Sequence, residues 1–474
     1  MASKKGIVLF ICFVLLIIGV LFYKEELASE DNILIKNDTN TIRIWYSDEA
    51  IGDYLNSAAV SYLEEYGVRV VPELHDGLEY IEAVDEASKN EDMIPDLFIT
   101  GTDSIEKAAM AGIAIPVSDK EDILNETYYP TVALDAVTYH NQKFGYPFYY
   151  ETAFMLYNQT YLNEVADAAL RNELLTGVSE NAALSDGDDE GMEEMPSISE
   201  NEAPPEGYSE AEWAGRVVEK ANTMIPDSVA DILAFANTYS TPDQVENIFL
   251  WDVSDIFYNY FITGAYMNAG GPYGDDSSVI ELSNEDSITC MQVYQGLNQF
   301  FSIDATTSNY EDVISDFING KTIFTIATTD SIALLEQAIH EGTFTWQYSV
   351  APLPGVDDSH IAKGLSSTKS VFVNGYTNNR EDAEGFARYI TLDYSDSFFQ
   401  RTGKMTAAHM NEDEKTKELA VVCDMYENSV PLPKLLGINN YWIEVELAYI
   451  NIWEGADVTQ TLNSLQEKMK KQLN

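Results

Sequence analysis

The sequence is short of cysteine and of basic residues, and the cysteine shortage alone removes several protein classes. Its three cysteines, Cys12, Cys290 and Cys423, match no zinc or iron–sulfur spacing and are too few for a disulfide framework. The sequence leaves open whether Cys290 and Cys423 form one bridge or remain two free thiols. A scaffold held together by several disulfides is therefore excluded.

Basic residues are far outnumbered by acidic ones: 26 Lys and Arg stand against 79 Asp and Glu, which gives a net charge of −53. A field of this sign repels phosphate backbones and anionic lipid headgroups. We therefore expect no nucleic acid among the partners of this protein.

Catalytic and cofactor motifs are missing as well. The sequence contains no GxSxG elbow, HExxH pair, P-loop or GxGxxG turn, and its five histidines are scattered through unrelated segments. We predict no catalytic residue, no metal site and no cofactor, and so a binding protein rather than an enzyme. A surface glycosidase stays an alternative, because the paired carboxylates of such enzymes have no fixed sequence spacing.

The sequence does contain enough apolar material for a large folded body. Hydrophobic residues make up 45% of its 474 residues, aromatic residues 12% and charged residues 22%, as in globular proteins. A chain of this length usually exceeds what one hydrophobic core can serve. We therefore expect two large lobes.

The amino terminus carries a long uncharged run. Residues 6–23 are 18 uncharged residues preceded by two lysines, long enough for a helix to cross most of a membrane. A cleaved secretory signal is the alternative, but the residues before Ala28 make a poor cleavage site. We predict an uncleaved signal anchor over 1–24 and a polar tether over 25–40, with the body outside the cytoplasm at the cell membrane.

From residue 41 onward, apolar periodicity predicts an α/β body. Strands first alternate with helices, which is typical of a parallel sheet covered on both faces. Ligands bind such sheets at the carboxyl ends of strands, here in loops 47–49 and 100–104. The predicted strands cover 41–46, 68–71, 96–100, 323–327 and 345–351, and the predicted helices cover 50–66, 78–89, 103–111, 229–238, 243–266, 284–301, 380–392, 412–427, 441–453 and 458–473.

An acidic stretch interrupts the body between residues 164 and 212. It holds fifteen acidic residues and a single basic one, Arg171. Such a composition buries too little apolar surface to order itself, so we predict a disordered insertion over 164–212. A calcium loop at Asp186, Asp188 and Asp189 is rejected, because the spaced oxygen ligands and terminal Glu of an EF-hand are absent.

Six segments of the body follow one another in the order found in a known protein family. They are the strand 42–46, PDLF at 95–98 followed by Gly112 and Pro116, YPFYYETAFMLYN at 146–158, FINGKTIFTIA at 317–327, VAPLPG at 350–355 and NYWIEVELAYINIWEG at 440–455. In this order the chain resembles the extracellular solute-binding proteins of ABC importers, the family that includes binders of maltose and other oligosaccharides. The resemblance covers about residues 41–473 apart from the insertion.

The resemblance implies an α/β, periplasmic-binding-protein-like fold of two lobes joined by a hinge, with the ligand held in the cleft between the lobes. Matching the segments places lobe one over 41–149 plus 366–412 and lobe two over 150–365 plus 413–474. The acidic insertion then lies in lobe two, away from the hinge.

The resemblance also implies six ligand-binding residues. Trp442 matches an aromatic residue that stacks on sugar rings, and the other five are carboxylates, which accept hydrogen bonds from hydroxyls. Glu446 replaces a residue that is often basic in maltodextrin binders, so a ligand with amino groups, or one bound through metal or water, also fits. The six residues are Glu49, Asp103, Glu151, Asp330, Trp442 and Glu446.

These expectations favour an extracytoplasmic receptor that captures a small solute, foremost a carbohydrate or oligosaccharide, by closing its lobes. The partners are then that solute, the permease subunits of an ABC importer and the membrane that holds the anchor. The alternative is a membrane-anchored sensor or surface interaction protein that uses the same fold.

Overall fold

The computed structural model describes residues 41–75, 77, 79–90, 93–176, 203–413, 415–438 and 440–473. The signal anchor predicted over 1–24, the tether over 25–40 and the middle of the insertion, 177–202, lie outside the described residues. Within the ranges that are described, no helix combines the length and apolar character that a membrane span needs.

The strands begin and end within a few residues of the predicted bounds wherever a strand was predicted. The first, TIRIWY, consists mainly of β-branched and aromatic residues, which fit a pleated, buried surface. The strands are β1 (Thr41–Tyr46), β2 (Arg69–Leu74), β3 (Leu97–Gly101), β4 (Thr138–Tyr139), β5 (Gln142–Lys143), β6 (Gly145–Asn158), β7 (Asn247–Phe249), β8 (Asn268–Gly270), β9 (Asp276–Glu281), β10 (Thr322–Thr328), β11 (Tyr348–Ala351), β12 (Leu365–Val373), β13 (Met405–Thr406) and β14 (Val430–Pro431).

The helices show the end signals that their sequences contain. The helix before Gly67 ends there because glycine adopts the left-handed conformation, with φ of 72°, without a Cβ clash. The helices are α1 (Gly52–Tyr66), α2 (Tyr80–Ser88), α3 (Ile105–Met110), α4 (Thr131–Val137), α5 (Gln159–Thr176), α6 (Glu210–Asn222), α7 (Val229–Thr238), α8 (Glu285–Phe301), α9 (Tyr310–Ile318), α10 (Asp330–Glu341), α11 (Arg380–Arg388), α12 (Phe398–Thr402), α13 (Lys417–Glu427), α14 (Tyr441–Trp453) and α15 (Val458–Leu473).

One ten-stranded sheet runs through the molecule in the order β2-β1-β3-β12-β6-β10-β7, with β11, β13 and β14 attached at its side. The predicted parallel pairing is confirmed for β1 with β2 and with β3. Strand β6 connects the two halves, because its first part pairs with β12 and its second part with β10 and β11. The chain therefore crosses between the predicted lobes along β6.

Buried side chains form separate apolar clusters on the two sides of this crossing. Ile44 and Trp45, neighbours on β1, belong to different clusters, so the sheet of lobe one is covered on both faces as predicted. A further cluster, which contains Trp251 and Trp453, fills lobe two. The cluster around Ile44 also includes Ile332 and Leu335 of α10, so apolar packing continues across the hinge.

A second region, which we call the junction, also links the predicted lobes. The Lys434 ammonium donates to the carbonyl oxygens of Asp135 and Thr138 in lobe one, at 2.6 and 2.7 Å, and to that of Tyr273 in lobe two, at 2.6 Å. Beside it, the His140 N–H donates to Asp275 Oδ2 at 2.7 Å. The junction thus joins the lobes through hydrogen bonds, whereas the hinge joins them through the chain itself.

The helix predicted over 243–266 is wrong. The segment instead holds β7 and two short 3₁₀ turns, at Ile256–Tyr258 and Tyr260–Ile262. The reason is local competition for the backbone: Asp255 accepts the Phe257 N–H, and the Asn259 amide donates to the carbonyls of Asp252 and Asp255. An apolar pattern alone does not reveal that competition.

The boundaries of the acidic insertion also need correction. Helix α5 continues to Thr176 with Val165 and Leu170 buried, and α6 begins at Glu210. The buried Trp213 of α6 donates through its indole N–H to Asp167 of α5, which holds the two helices together. The charge count averaged over 164–212 concealed these apolar positions at both ends.

The two cysteines of the body are free thiols, so the bridge that the sequence left open is not formed. Cys290 is buried in lobe two, and burial raises the pKa of its thiol to about 12. Cys423 accepts a weak hydrogen bond from the Tyr150 hydroxyl at 3.8 Å.

Candidate functional site

The crossing strands are buried along their whole length except at one place. In β6, β10 and β12, every residue is buried apart from Glu151, Ser367 and Lys369. Ser367 is the register partner of Glu151, and Lys369 and Thr406 are both partners of Tyr149. Register partners lie on the same face of a sheet, so these side chains open onto one surface.

We call this surface, together with Lys404, the floor, and it lies where strands from both lobes end. From lobe one, the last residue of β3, Gly101, pairs with Lys369. From lobe two, the last residue of β10, Thr328, pairs with Ala153, two residues beyond Glu151. Since ligands of such sheets bind at the carboxyl ends of strands, the floor is the candidate base of a ligand-binding cleft between the predicted lobes.

Lys404 is the central charge of the floor. Its ammonium lies 3.6 Å from Glu151 Oε1 and 3.6 Å from Asp48 Oδ2. The Asp48 carboxylate is already held by the Ala50 N–H and the Tyr149 hydroxyl, each at 3.0 Å. Burial, and then the neighbouring Asp48 carboxylate, raise the pKa of Tyr149 well above its usual value, so this hydroxyl acts as a donor. Asp48 thus fixes the floor, while Glu151 remains open to the cleft.

The two lobe-one candidates, Glu49 and Asp103, are exposed and follow the ends of β1 and β3. Asp103 lies next to the floor, because a Cβ added to Gly101 would be 2.5 Å from Asp103 Oδ1 and 3.4 Å from Lys369 Nζ. Glycine at 101 thus leaves room for the Asp103 carboxylate in this position. Glu49 lies directly beyond Asp48, at the rim of the same surface.

Asp330 of lobe two is engaged in a network of its own rather than free. It accepts hydrogen bonds from the Tyr310 hydroxyl, at 3.2 Å, and from the Thr328 hydroxyl. The Tyr310 ring stacks on Tyr258 with centroids 4.4 Å apart. Asp330 therefore holds a stacked aromatic pair in place at the carboxyl end of β10.

Trp442 is half-buried and packs edge-on against Tyr260 and Tyr441, with ring centroids 5.4 and 4.8 Å away. It lines a cavity of about 350 Å³ in lobe two. Within the described part of the chain, the lining includes none of the other five candidates. Aromatic and polar side chains that line the cavity are Tyr260, Tyr266, Asn268, Glu281, Lys363 and Trp442.

Glu446, one turn beyond Trp442, faces other carboxylates. It accepts the Ile256 N–H at 3.4 Å. Burial, and then the nearby Asp255 and Asp252, raise its pKa, and burial together with Asp252 raises that of Asp255. Glu446 and Asp255 are therefore both easier to protonate than carboxylates in water.

The structure brings together only part of the predicted site. Glu151 and Asp103 lie at the floor with Glu49 at its rim, whereas Asp330, Trp442 and Glu446 lie along lobe two. Sequence reasoning missed the floor residues contributed by β12 and β13. Their pairing with β6 depends on long-range register, and their sequences carry no signal for it. They are Ser367, Lys369, Lys404 and Thr406, and with them Asp48.

Comparison with known proteins gives no match in sequence. No family model matches the chain, and no curated protein matches it.

Comparison of structures, in contrast, gives many matches. A cyclo/maltodextrin-binding protein complexed with maltotetraose aligns with a TM-score of 0.66 and 17% identity, over 91% of this chain and 96% of the other. An extracellular solute-binding protein from Staphylococcus aureus in complex with maltose aligns with a TM-score of 0.67 and 14% identity, over 92% of this chain and 98% of the other. A maltose-binding periplasmic protein from Listeria monocytogenes in complex with maltose aligns with a TM-score of 0.63 and 17% identity, over 92% of this chain and 98% of the other.

These alignments confirm the two-lobe α/β fold that was predicted from the order of six sequence segments. They extend over nearly the whole of each matched protein, so the likeness concerns the complete architecture rather than one lobe.

Proposed function

We propose that this protein is an extracytoplasmic receptor that captures a carbohydrate between its lobes and delivers it to an ABC importer. The observation that carries the proposal is the floor: the crossing strands are buried everywhere except where Glu151, Ser367 and Lys369 open between the lobes. Sugar hydroxyls both donate and accept hydrogen bonds, so they suit a surface of mixed hydroxyl, carboxylate and ammonium groups.

Closure follows from the position of the floor. In this proposal a ligand on Glu151 also contacts Asp103 from lobe one and residues at the carboxyl end of β10 from lobe two. Contacts with both lobes stabilise the closed arrangement over the open one, and this difference in affinity is what drives closure. The half-buried rings of Tyr310 and Trp442 are the candidates for the flat apolar faces that sugar rings need.

A binding role fits better than catalysis. The solved proteins of similar fold that are named above are binding proteins with sugars in their structures. The delivery step requires permease subunits as partners, and the run at residues 6–23, as an uncleaved anchor, would keep the receptor at the outer face of the membrane.

The test is a thermal-shift screen of the body against mono- and oligosaccharides, amino sugars and polyamines. A ligand that binds only the folded receptor raises its melting temperature, by an amount that grows with concentration. If no saccharide raises it, the proposed function is wrong.

Trp442 gives a sharper test with the saccharide identified by the screen. Trp442→Ala removes a ring at the site, and we expect a loss of about 2 kcal/mol, or roughly thirtyfold in affinity by calorimetry. Trp442→Phe is the matched control, because it keeps an aromatic face and most of the affinity. Unchanged affinity in a folded Trp442→Ala would remove Trp442 from the site and leave the floor as its centre.

A further inference from the structure

The floor is less acidic than the chain as a whole. Three carboxylates, Asp48, Asp103 and Glu151, lie around it with two ammonium groups, Lys369 and Lys404, and Glu49 lies at its rim. The whole chain has 79 acidic residues and 26 basic ones. The base of the cleft therefore has a larger share of basic groups than the chain has on average.

The Lys404 ammonium lies close enough to two carboxylates to offset their negative charge, but it donates no hydrogen bond to either of them. Its side chain is 19% exposed, and both carboxylates lie 3.6 Å away, which is beyond the usual length of an N–H···O hydrogen bond. The ammonium thus feels the attraction of both carboxylates, yet its N–H groups can still turn to a ligand. Its backbone is fixed by the preceding turn, where the Lys404 N–H donates to Thr402 Oγ1 at 3.0 Å.

Glu151 complements Lys404 as an acceptor. Its side chain is 40% exposed, and the Lys404 ammonium is its ion-pair partner. Asp48, the third member, has its two oxygens directed at the Ala50 N–H and the Tyr149 hydroxyl. The cleft therefore presents one available acceptor and one available donor 3.6 Å apart, which suits two neighbouring hydroxyls of a sugar.

We propose that Lys404 is the specificity residue of the cleft, which selects uncharged sugars and rejects sugars that carry an ammonium group. One ligand hydroxyl donates to Glu151 while its neighbour accepts from Lys404. A ligand ammonium in the place of either hydroxyl lies close to the Lys404 ammonium, and the repulsion between these like charges opposes the attraction of Glu151 and Asp48. The inference rests on the proposed function and narrows its ligand class.

This inference reverses the conclusion that the acidic candidates alone would suggest. Glu49, Asp103 and Glu151, read as a set, favour a cationic ligand. With Lys404 between Glu151 and Asp48, and Lys369 beside Asp103, two ammonium groups offset part of the negative charge of the same surface. Without the Lys404 charge, Glu151 and Asp48 would lack their shared counter-charge, and the preference should move toward cationic sugars.

The experiment compares sugars that differ only by the exchange of a hydroxyl for an ammonium group. The probes are glucose and glucosamine, and galactose and galactosamine, each titrated at low salt. The variants are Lys404→Met, which removes the charge, and Lys404→Arg, which keeps it. Lys415→Met is the matched control, because Lys415 is similarly exposed and pairs with Glu412 at 2.8 Å away from the floor.

The wild-type protein should prefer the neutral member of each pair that it binds. Lys404→Met should shift the affinity ratio toward the amino sugar by about tenfold or more, while Lys404→Arg and Lys415→Met should leave the ratio within about threefold. A wild-type preference for the amino sugar, or an unchanged ratio in a folded Lys404→Met, would overturn the role of Lys404 and leave sugar binding intact. Binding of no sugar at all would contradict the proposed function, and this inference with it.

Discussion

Two lysines join parts of the chain from different lobes, and their surroundings are opposite. Lys404 at the floor is 19% exposed and lies between two carboxylates at 3.6 Å, both longer than hydrogen bonds. Lys434 at the junction is 1% exposed and donates to three backbone carbonyls at 2.6 to 2.7 Å. One ammonium is left with free donors, and the other has all three donors used.

The two lysines differ in burial and in the charge of their partners, and these two properties distinguish a lysine that can bind a ligand from one that supports the fold. A carbonyl carries no net charge, so the junction satisfies the Lys434 donors but gives little compensation for a buried charge. Burial accordingly lowers the pKa of Lys434 to about 7, although Asp275 and Asp135 oppose that shift. At the floor, exposure and carboxylate partners keep the Lys404 charge available to a ligand. We therefore expect Lys434 at the junction to contribute to folding stability and Lys404 at the floor to contribute to ligand specificity.

The largest loss of stability is expected for Lys434→Met. The variant leaves the buried carbonyls of Asp135, Thr138 and Tyr273 without their donor, and each such loss is expensive in the interior. Removal of a poorly compensated charge offsets part of the cost. We expect the free energy of unfolding to fall by about 3 kcal/mol in urea titrations. A loss below about 1 kcal/mol would mean that the junction contributes little to stability.

The buried Lys434 should also make the stability of the protein depend on pH, with a smaller effect. The pKa of Lys434 is about 7 in the folded protein, against about 10.4 for an unfolded lysine. Between these two pKa values the unfolded chain binds more protons than the folded protein. The free energy of unfolding therefore rises with pH in this range, and the gain is lost as the pH falls toward 7.

We therefore expect the wild-type protein to gain on the order of 2 kcal/mol more than Lys434→Met between pH 7 and 9. The variant serves as the control because all other titrating groups are common to both proteins. Parallel pH profiles, measured by denaturant titration at each pH, would show that Lys434 keeps an ordinary pKa and that its burial costs little.

Local patterns account for the parts of the fold that the sequence predicted well. The bounds of β1, α14 and α15 are those predicted, because each is set by nearby residues with a clear period and end signals. The predicted helix over 243–266 failed because Asp255 and Asn259 bond to the backbone, a choice that depends on side-chain chemistry rather than period.

The site was predictable only where it lies on one strand. Glu151 is the sole charged residue in β6, so a sequence match could identify it. Lys404 and Lys369 reach the same surface through strands far along the chain, and nothing near them in sequence indicates that register. Sequence reasoning therefore found Glu151 and Asp103 but missed Asp48 and the two lysines, and the lysines change the inferred ligand charge.

The smallest expected effect concerns stability at the floor itself. Lys404→Met removes a cation that is partly exposed and lies 3.6 Å from each carboxylate, and ion pairs of this kind contribute little to folding. Asp48 keeps its hydrogen bonds from Ala50 and Tyr149, and Glu151 can turn to water. We expect the free energy of unfolding to change by less than about 1 kcal/mol in the urea titration used for Lys434→Met. A loss as large as that of Lys434→Met would make Lys404 a structural residue, and its effect on sugar selection would then follow from a disturbed floor rather than from its charge.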